Sequence, residues 1–467
     1  EELQDTRLAI IETFKNIKGN SALVIMRKGE NALWAIKRSA PLVCGFNEQT
    51  REVYVSSDPY ALVGFAQKIY FPEDEILCEC DFENAGEEIS FYDLKNNLST
   101  NYKIQEKQVE LDVVSKGRFE HFMLKEIHEQ PVLIKKLTEH YLKGEGRKTL
   151  DSINKPFPFV HIAACGTALH AGMVLKNYFE KINSTRVVCD FASEFRYKNP
   201  VLDPKELGLF ISQSGETADT LACQQLCKKN GLKTYSIVNV EGSTLYRDSD
   251  ANLLIKAGVE IGVASTKAFT QQALTGLLLS MSFAGKLDDQ SLEKEFNLLA
   301  ERIDEVLLRT EEIKKVAQEI YQFNGFIFTG RGDQFPIALE GALKLKEIAY
   351  VHAEGYAAGE LKHGPISLID EKMVNIALIT PDLYEKTFSN AQEVKARRGV
   401  MVVVGEENNS ELEELSDYYL GLNLSGLSFT QPILTNVVLQ LLSYYVAKLK
   451  GTDIDKPRNL AKSVTVE

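Results

Sequence analysis

Glu340, Lys344 and Glu347 recur four and then three residues apart within Ile337-Ala-Leu-Glu-Gly-Ala-Leu-Lys-Leu-Lys-Glu-Ile348. This stretch is rich in strong helix formers, and on a helix the three would share one face. The stretch follows a Gly-rich strand turn, where α/β sheets bind ligands, which raises a functional reading; the plainer reading is a solvated charged stripe with an i,i+4 ion pair. Glu360-Leu-Lys-His-Gly-Pro365 sets His363 in a loop, either as a general acid or base or as a satisfied surface histidine. Lys462 lies in the apolar context Leu460-Ala-Lys-Ser-Val464. A lysine docked in a pocket loses part of its preference for the charged state and becomes nucleophilic, whereas on a free tail it would do neither. In Leu207-Gly-Leu-Phe-Ile-Ser-Gln-Ser-Gly-Glu-Thr217 an apolar run ends in hydroxyls just before a helix-forming segment. Free N–H groups and the dipole at a helix start favour an anion. Ser212, Ser214 and Thr217 add donors, and Gly215 permits close approach of the backbone. The loop has no lysine, so it is not a Walker loop. It reads as a phosphate site for a small metabolite.

The elements that must position these residues alternate strand and helix. Phe159–Ala164 predicts a buried strand, followed by Cys165-Gly-Thr-Ala168 and a helix from about Leu169 to Lys181. Strands at Arg186–Asp190, Leu207–Ile211, Lys233–Val238 and Leu253–Ala257 follow, with a helix at Ala218–Lys229. Gly262-Val-Ala-Ser-Thr266 then leads into an apolar helix through Phe283. The pattern returns at Asn324–Asp333, Val374–Ile379 and Gly399–Val404, and Phe429–Leu449 mirrors the helix at Phe269–Phe283. The fold class is α/β, with two duplicated halves of about 140 residues, each a parallel sheet flanked by helices. The expected extents are 150–290 and 317–450. Residues 1–95 read as a β-rich piece with two helices, one over 3–18 and one starting at Ser57–Ala61. A linker and helix occupy 96–149, polar over Asp93–Lys116 and helical from Phe119 with a break at Pro131. The last stretch, 451–467, is a tail whose apolar residues need a docking site.

Composition bounds the function. The chain has 467 residues and a net charge of −13 without a basic block, which argues against nucleic acid. Its seven cysteines are scattered without a CxxC pair, pointing to free thiols in a reducing compartment and to no zinc. No run approaches the ~18 apolar residues of a membrane span. The opening Glu-Glu-Leu-Gln-Asp does not resemble a signal peptide, so the expected location is cytoplasmic. The absence of an initiating Met leads us to expect an N-terminally incomplete sequence.

Eight stretches in order carry a resemblance over the whole chain. They are Cys165-Gly-Thr167, Ala192-Ser-Glu-Phe-Arg-Tyr197, Ser212–Thr220, Glu260-Ile-Gly-Val-Ala-Ser-Thr-Lys-Ala-Phe-Thr270, Gly330-Arg-Gly-Asp-Gln334, Ala338–Glu347, Gly359–Pro365 and Pro457-Arg-Asn-Leu-Ala-Lys-Ser-Val-Thr-Val-Glu467. Together they resemble the glucosamine-6-phosphate synthase family, the isomerizing glutamine–fructose-6-phosphate transaminases. The resemblance implies two sugar isomerase (SIS) domains and a C-terminal active-site tail. It also implies that residues 1–95 are the last part of an N-terminal-nucleophile glutaminase domain. The family's N-terminal cysteine nucleophile is missing, so this chain is not expected to hydrolyse glutamine. The implied activity turns fructose 6-phosphate and glutamine-derived ammonia into glucosamine 6-phosphate, the first step towards UDP-N-acetylglucosamine, without metal or organic cofactor. Thr167, Ser212, Gln213, Ser214 and Thr217 would hold the phosphate, and Val263 and Ser265 would line the sugar site. Lys462 would form the Schiff base at C2, Glu347 would carry the proton between C1 and C2, and Lys344 would assist it. His363 would open the sugar ring from a partner subunit, which implies a homodimer. Ala168 departs from the family's usual serine and removes one hydroxyl donor. A fructosamine-phosphate deglycase or a non-enzymatic sugar-phosphate regulator is the alternative on the same domains.

Overall fold

The computed structural model describes residues 5–465 apart from 20, 39, 41, 58, 63, 83–88, 95–97 and 100–114. Contacts divide the chain into two compact units, Glu1–Gly117 with Val464–Glu467, and Arg118–Ser463. In the first, helix α1 (Thr6–Asn16) is capped by the Asp5 carboxylate and buries Ile10, Ile11 and Phe14. Strands follow: β1 (Ser21–Met26), β2 (Ala32–Arg38), β3 (Val43–Phe46), β4 (Val53–Ser56), β5 (Lys68–Tyr70), β6 (Ile76–Asp81), β7 (Ser90–Asp93) and β8 (Leu98–Ser99). They form a five-stranded sheet, β1-β2-β6-β7-β8, and a three-stranded sheet, β4-β3-β5, both antiparallel. The helix expected to start at Ser57–Ala61 is only a single 3₁₀ turn, Pro59–Leu62. The sheet also runs past residue 95, to Ser99. Most of the polar stretch Asp93–Lys116 expected as a linker lies outside the described residues.

The second unit opens with α2 (Phe122–Thr138) and α3 (Glu145–Ser152). The break expected at Pro131 does not occur, and α2 runs through it. Proline denies a hydrogen bond to the carbonyl four residues before it; here the Gln130 side chain donates to that Ile127 carbonyl instead, at 3.2 Å. The next elements are β9 (Phe159–Ala164), α4 (Gly166–Asn183), β10 (Arg186–Phe191), α5 (Ala192–Phe195), β11 (Leu207–Ser212), α6 (Ala218–Lys229), β12 (Lys233–Val238), α7 (Thr244–Asp248), β13 (Ala251–Leu254) and α8 (Lys267–Phe283). Helices α9 (Gln290–Leu308) and α10 (Thr310–Ile320) lead to the second half. That half holds β14 (Gly325–Gly330), α11 (Gln334–Ala349), β15 (His352–Ala357), β16 (Met373–Ile379), α12 (Tyr384–Lys395), β17 (Val400–Glu406), α13 (Ser410–Leu415), β18 (Tyr418–Leu422) and α14 (Gln431–Lys450).

Both sheets are parallel and share one topology, β10-β9-β11-β12-β13 and β15-β14-β16-β17-β18. In each, the chain starts at an inner strand, steps to one edge, then crosses to the other side. The order reverses between β9 and β11, and ligands bind beyond the carboxyl ends of strands at such a switch point. β9 passes through Cys165 into the first turn of α4, which holds Thr167, and β11 ends at Ser212 and runs through 213–217 into α6, so the topology alone puts the hydroxyl loop where a ligand belongs. Every residue of α8 is buried, as are most of α14, which is why these helices read as apolar runs without periodicity. Close approach of α8 to α4 requires Gly276, where a Cβ would meet Leu175 Cδ1 at 2.0 Å. One apolar core extends from Met123 and Ile127 through both sheets to Ile454. The segment after α14 is therefore docked over 451–463. Asp455 seals it by accepting from the Phe122 and Met123 N–H groups at the start of α2, at 2.9 and 3.0 Å. No helix of the described residues is long and apolar enough to cross a membrane. All seven cysteines are free.

Candidate active site

The hydroxyl loop is held by its own side chains. Ser212 Oγ accepts from the Gly215 N–H at 3.0 Å and shares a hydrogen bond with Thr217 Oγ1 at 3.0 Å. Ser212 is 3 % exposed, so its hydroxyl braces the turn from inside. Gly215 has φ +69°, and a Cβ there would lie 2.1 Å from Ser243 Oγ, so only glycine fits. The acid of the loop is turned away, since Glu216 accepts from the Thr244 N–H at the start of α7, at 2.8 Å. Gln213, Ser214 and Thr217 are half-buried around the loop, and Thr217 stands at the N-terminus of α6 without capping it. Open helix N–H groups beside hydroxyls remain suited to an anion.

The tail meets this loop. Ser463 Oγ and Ser214 Oγ are 3.0 Å apart and hydrogen-bonded. The preceding Lys462 donates from Nζ to Glu260 Oε2 at 2.5 Å and to the Gly262 carbonyl at 2.7 Å. Glu260 is buried at the start of α8, where Oε1 accepts from the Thr266 and Ala268 N–H groups at 2.9 and 3.0 Å. Ser265 Oγ donates to its other oxygen at 3.2 Å. Burial alone would raise the Glu260 carboxyl; the charge and hydrogen bond of Lys462 and the two backbone N–H groups outweigh it and hold the group below the ordinary carboxylate value. Val263, half-buried beside this turn, donates its N–H to the Asp455 carbonyl at 3.0 Å.

A second group joins the two halves. Lys344 Nζ, fully buried, lies 2.5 Å from Glu347 Oε2 and 3.5 Å from Glu340 Oε1. It also donates to Thr167 Oγ1 at 2.9 Å, and that hydroxyl donates to Glu340 Oε1 at 3.0 Å. His170 Nδ1 lies 2.7 Å from Glu340 Oε2. The reading of Glu340, Lys344 and Glu347 as a solvated stripe is thereby set aside: Glu340 and Lys344 are buried, and Glu347 is half-buried. Burial would depress Lys344, but Glu347, Glu340 and, more weakly, Glu260 overcome it and keep the amine above its ordinary value. Lys344 is therefore a fixed cation, suited to orienting a carboxylate. The field of Glu260 at Lys344 connects this group with the Lys462 cradle. Lys344→Met would leave two acids facing one another without their cation. We expect a stability loss of about 3 kcal/mol at neutral pH, read from the urea midpoint at unchanged slope.

His363 is not brought into either group. It ends a 3₁₀ segment, Ala358–His363, rather than lying in an open loop, and it is exposed. Among the described residues no contact ties it to Lys344 or Lys462. Thr167 has its hydroxyl committed to Glu340 and Lys344. Sequence reasoning assigned no role to Glu260 or His170; the one local signal for Glu260 is an acid shortly before a helix start. No group of His, Cys, Asp and Glu among the described residues is arranged to hold a metal ion.

Comparison with known proteins gives one answer. The SIS domain model matches residues 160–282 and 319–450. The glutamine–fructose-6-phosphate aminotransferase [isomerizing] of Brucella abortus is 42% identical over 471 residues, covering 98% of this chain and 76% of that protein. The Idiomarina loihiensis protein of the same name is 42% identical over 482 residues, 99% of this chain and 77% of its own length. Among solved structures, the C-terminal domain of glucosamine-fructose-6-phosphate aminotransferase from Francisella tularensis is 38% identical with a TM-score of 0.68, covering 73% of this chain and 100% of that one. A tagatose-6-phosphate ketose/aldose isomerase from Escherichia coli, 16% identical with a TM-score of 0.64 over 73% of this chain and 97% of its own, shares the fold.

Proposed function

The chain belongs to the glutamine–fructose-6-phosphate aminotransferase [isomerizing] family, and from that premise we propose that residues 118–463 convert fructose 6-phosphate and ammonia to glucosamine 6-phosphate. The observation that carries this reading is the tail, which ties Ser463 to the hydroxyl loop and so sets the Lys462 amine beside it. The phosphate binds at Gln213, Ser214, Thr217 and the open start of α6, inside the frame that Ser212 and Thr167 brace. Val263 and Ser265 line the sugar site. The Lys462 amine condenses with the C2 carbonyl and water leaves. Ammonia then replaces the lysine nitrogen to give a ketimine, which acidifies the C1 hydrogen. Glu347 takes that proton and returns it to C2, turning the ketimine into the amino aldose. Lys344 holds the Glu347 carboxylate at 2.5 Å for this transfer.

Finer assignments belong to the same proposal. Residues 1–95 derive from the end of a glutaminase domain, an origin supported by alignment to the relatives over 98% of the chain. Residues 96–149 connect it to SIS domains spanning 150–290 and 317–450, with 451–467 as the active-site tail. The exposed His363 serves ring opening in a partner subunit of a cytoplasmic homodimer.

The test is borohydride reduction in the presence of fructose 6-phosphate followed by peptide mass spectrometry, with glucosamine 6-phosphate formation from ammonia assayed in parallel. A reduced sugar adduct on Lys462 together with product supports the reading; an adduct on any other lysine overturns it. Ser214→Ala should raise the KM for fructose 6-phosphate about tenfold, as expected for one hydrogen bond to a charged group, with kcat little changed.

A further inference from the structure

The turn that holds Lys462 is itself held by α2. Glu126 Oε1 accepts from the Ile261 N–H at 2.5 Å and from the Gly262 N–H at 3.1 Å. Gly262 is the residue whose carbonyl accepts from Lys462. Glu126 is 2 % exposed, and its Oε2 is buried with no hydrogen-bond partner among the described residues. A buried carboxylate oxygen left open is costly for a group that serves only as a brace. The contacts close a circuit: the tail's Asp455 fixes the start of α2, α2 brings Glu126 to the turn, and the turn returns to the tail's Lys462.

We propose that Glu126 is a positioning residue for Lys462, setting the Gly262 carbonyl and supplying a second carboxylate charge that governs when the amine gives up its proton. The inference rests on the role proposed above for Lys462. The charged groups acting on Glu126 are Glu260, Lys462 and Lys267, the last paired with Glu129 of α2 at 2.6 Å. Burial and then Glu260 push the Glu126 carboxyl up, Lys462 and Lys267 pull it back, and it settles at about 7. Above that pH Glu126 adds a second negative charge to the one that Glu260 presents to the Lys462 ammonium. Glu126→Gln retains an acceptor for both N–H groups and can never ionise.

The experiment is reductive methylation with formaldehyde and cyanoborohydride across pH 7–11, which brackets the ordinary lysine value of about 10.4, with initial labelling of Lys462 and the exposed control Lys205 quantified by mass spectrometry. In Glu126→Gln the pH of half-maximal Lys462 labelling should fall by about half a unit to one unit, with Lys205 unchanged. The pH profile of kcat should move the same way while KM holds. Glu126→Ala, which also loses the brace, should lower sugar trapping at every pH. Folding of both variants is checked by thermal melts. An unshifted Lys462 profile in Glu126→Gln, or equal losses in both variants without a shift, overturns the proposal. Labelling needs no sugar, so a shifted Lys462 that fails to trap fructose 6-phosphate would fault the aminotransferase reading alone. Trapping at Lys462 with no shift would fault this inference alone.

Discussion

Lys462→Arg should trap no sugar with borohydride and should lose glucosamine 6-phosphate synthesis by at least about a thousandfold, in line with removal of other covalent nucleophiles. Arginine keeps the positive charge that Glu260 requires, so the buried carboxylate at the start of α8 is not stranded. Its guanidinium cannot deprotonate to form an imine. The variant thus separates charge pairing from nucleophilicity. A Lys462→Met variant would add an electrostatic loss at Glu260, softened because Thr266, Ala268 and Ser265 still donate to that carboxylate. Substantial synthesis by Lys462→Arg would mean that no imine is formed at this position.

Glu347→Gln should cut isomerisation by about two to four orders of magnitude while borohydride still fixes fructose 6-phosphate to Lys462. Glutamine occupies the same space and offers an oxygen to Lys344, so the packing of α11 is kept. What it cannot do is accept the C1 proton. Glu347 is the partly accessible member of its triad, at 21% against 1% for Lys344 and 0% for Glu340, so it alone of the three can present an oxygen to a substrate. Loss of trapping together with isomerisation would assign Glu347 to binding instead.

The features legible in the sequence are those written in local patterns. Alternating buried strands and helices, repeated once, fixed the two parallel sheets, because a strand covered on both faces is an apolar run whatever surrounds it. The hydroxyl loop was legible as a turn for a similar reason: a strand ending in small polar residues before a helix start leaves free N–H groups by its own backbone. The helical spacing of Glu340, Lys344 and Glu347 placed them together, and the motifs of the tail pointed to Lys462. The edge strands β15 and β18 were missed because they are half-buried and interrupted by Gly355 and Gly421, and so lack a continuous apolar run. Pro131 misled because its missing hydrogen bond is repaired by a side chain, which no propensity records.

What only the tertiary structure decided is which charges are buried against one another. Lys462 finds Glu260 across 202 residues of chain, Lys344 finds Thr167 across 177, and Glu126 finds Gly262 across 136. Residue types set what each group can do. Whether an ion pair is a solvated stripe or a buried catalytic anchor depends on desolvation and on the charges that folding brings near, and those come from elements hundreds of residues away.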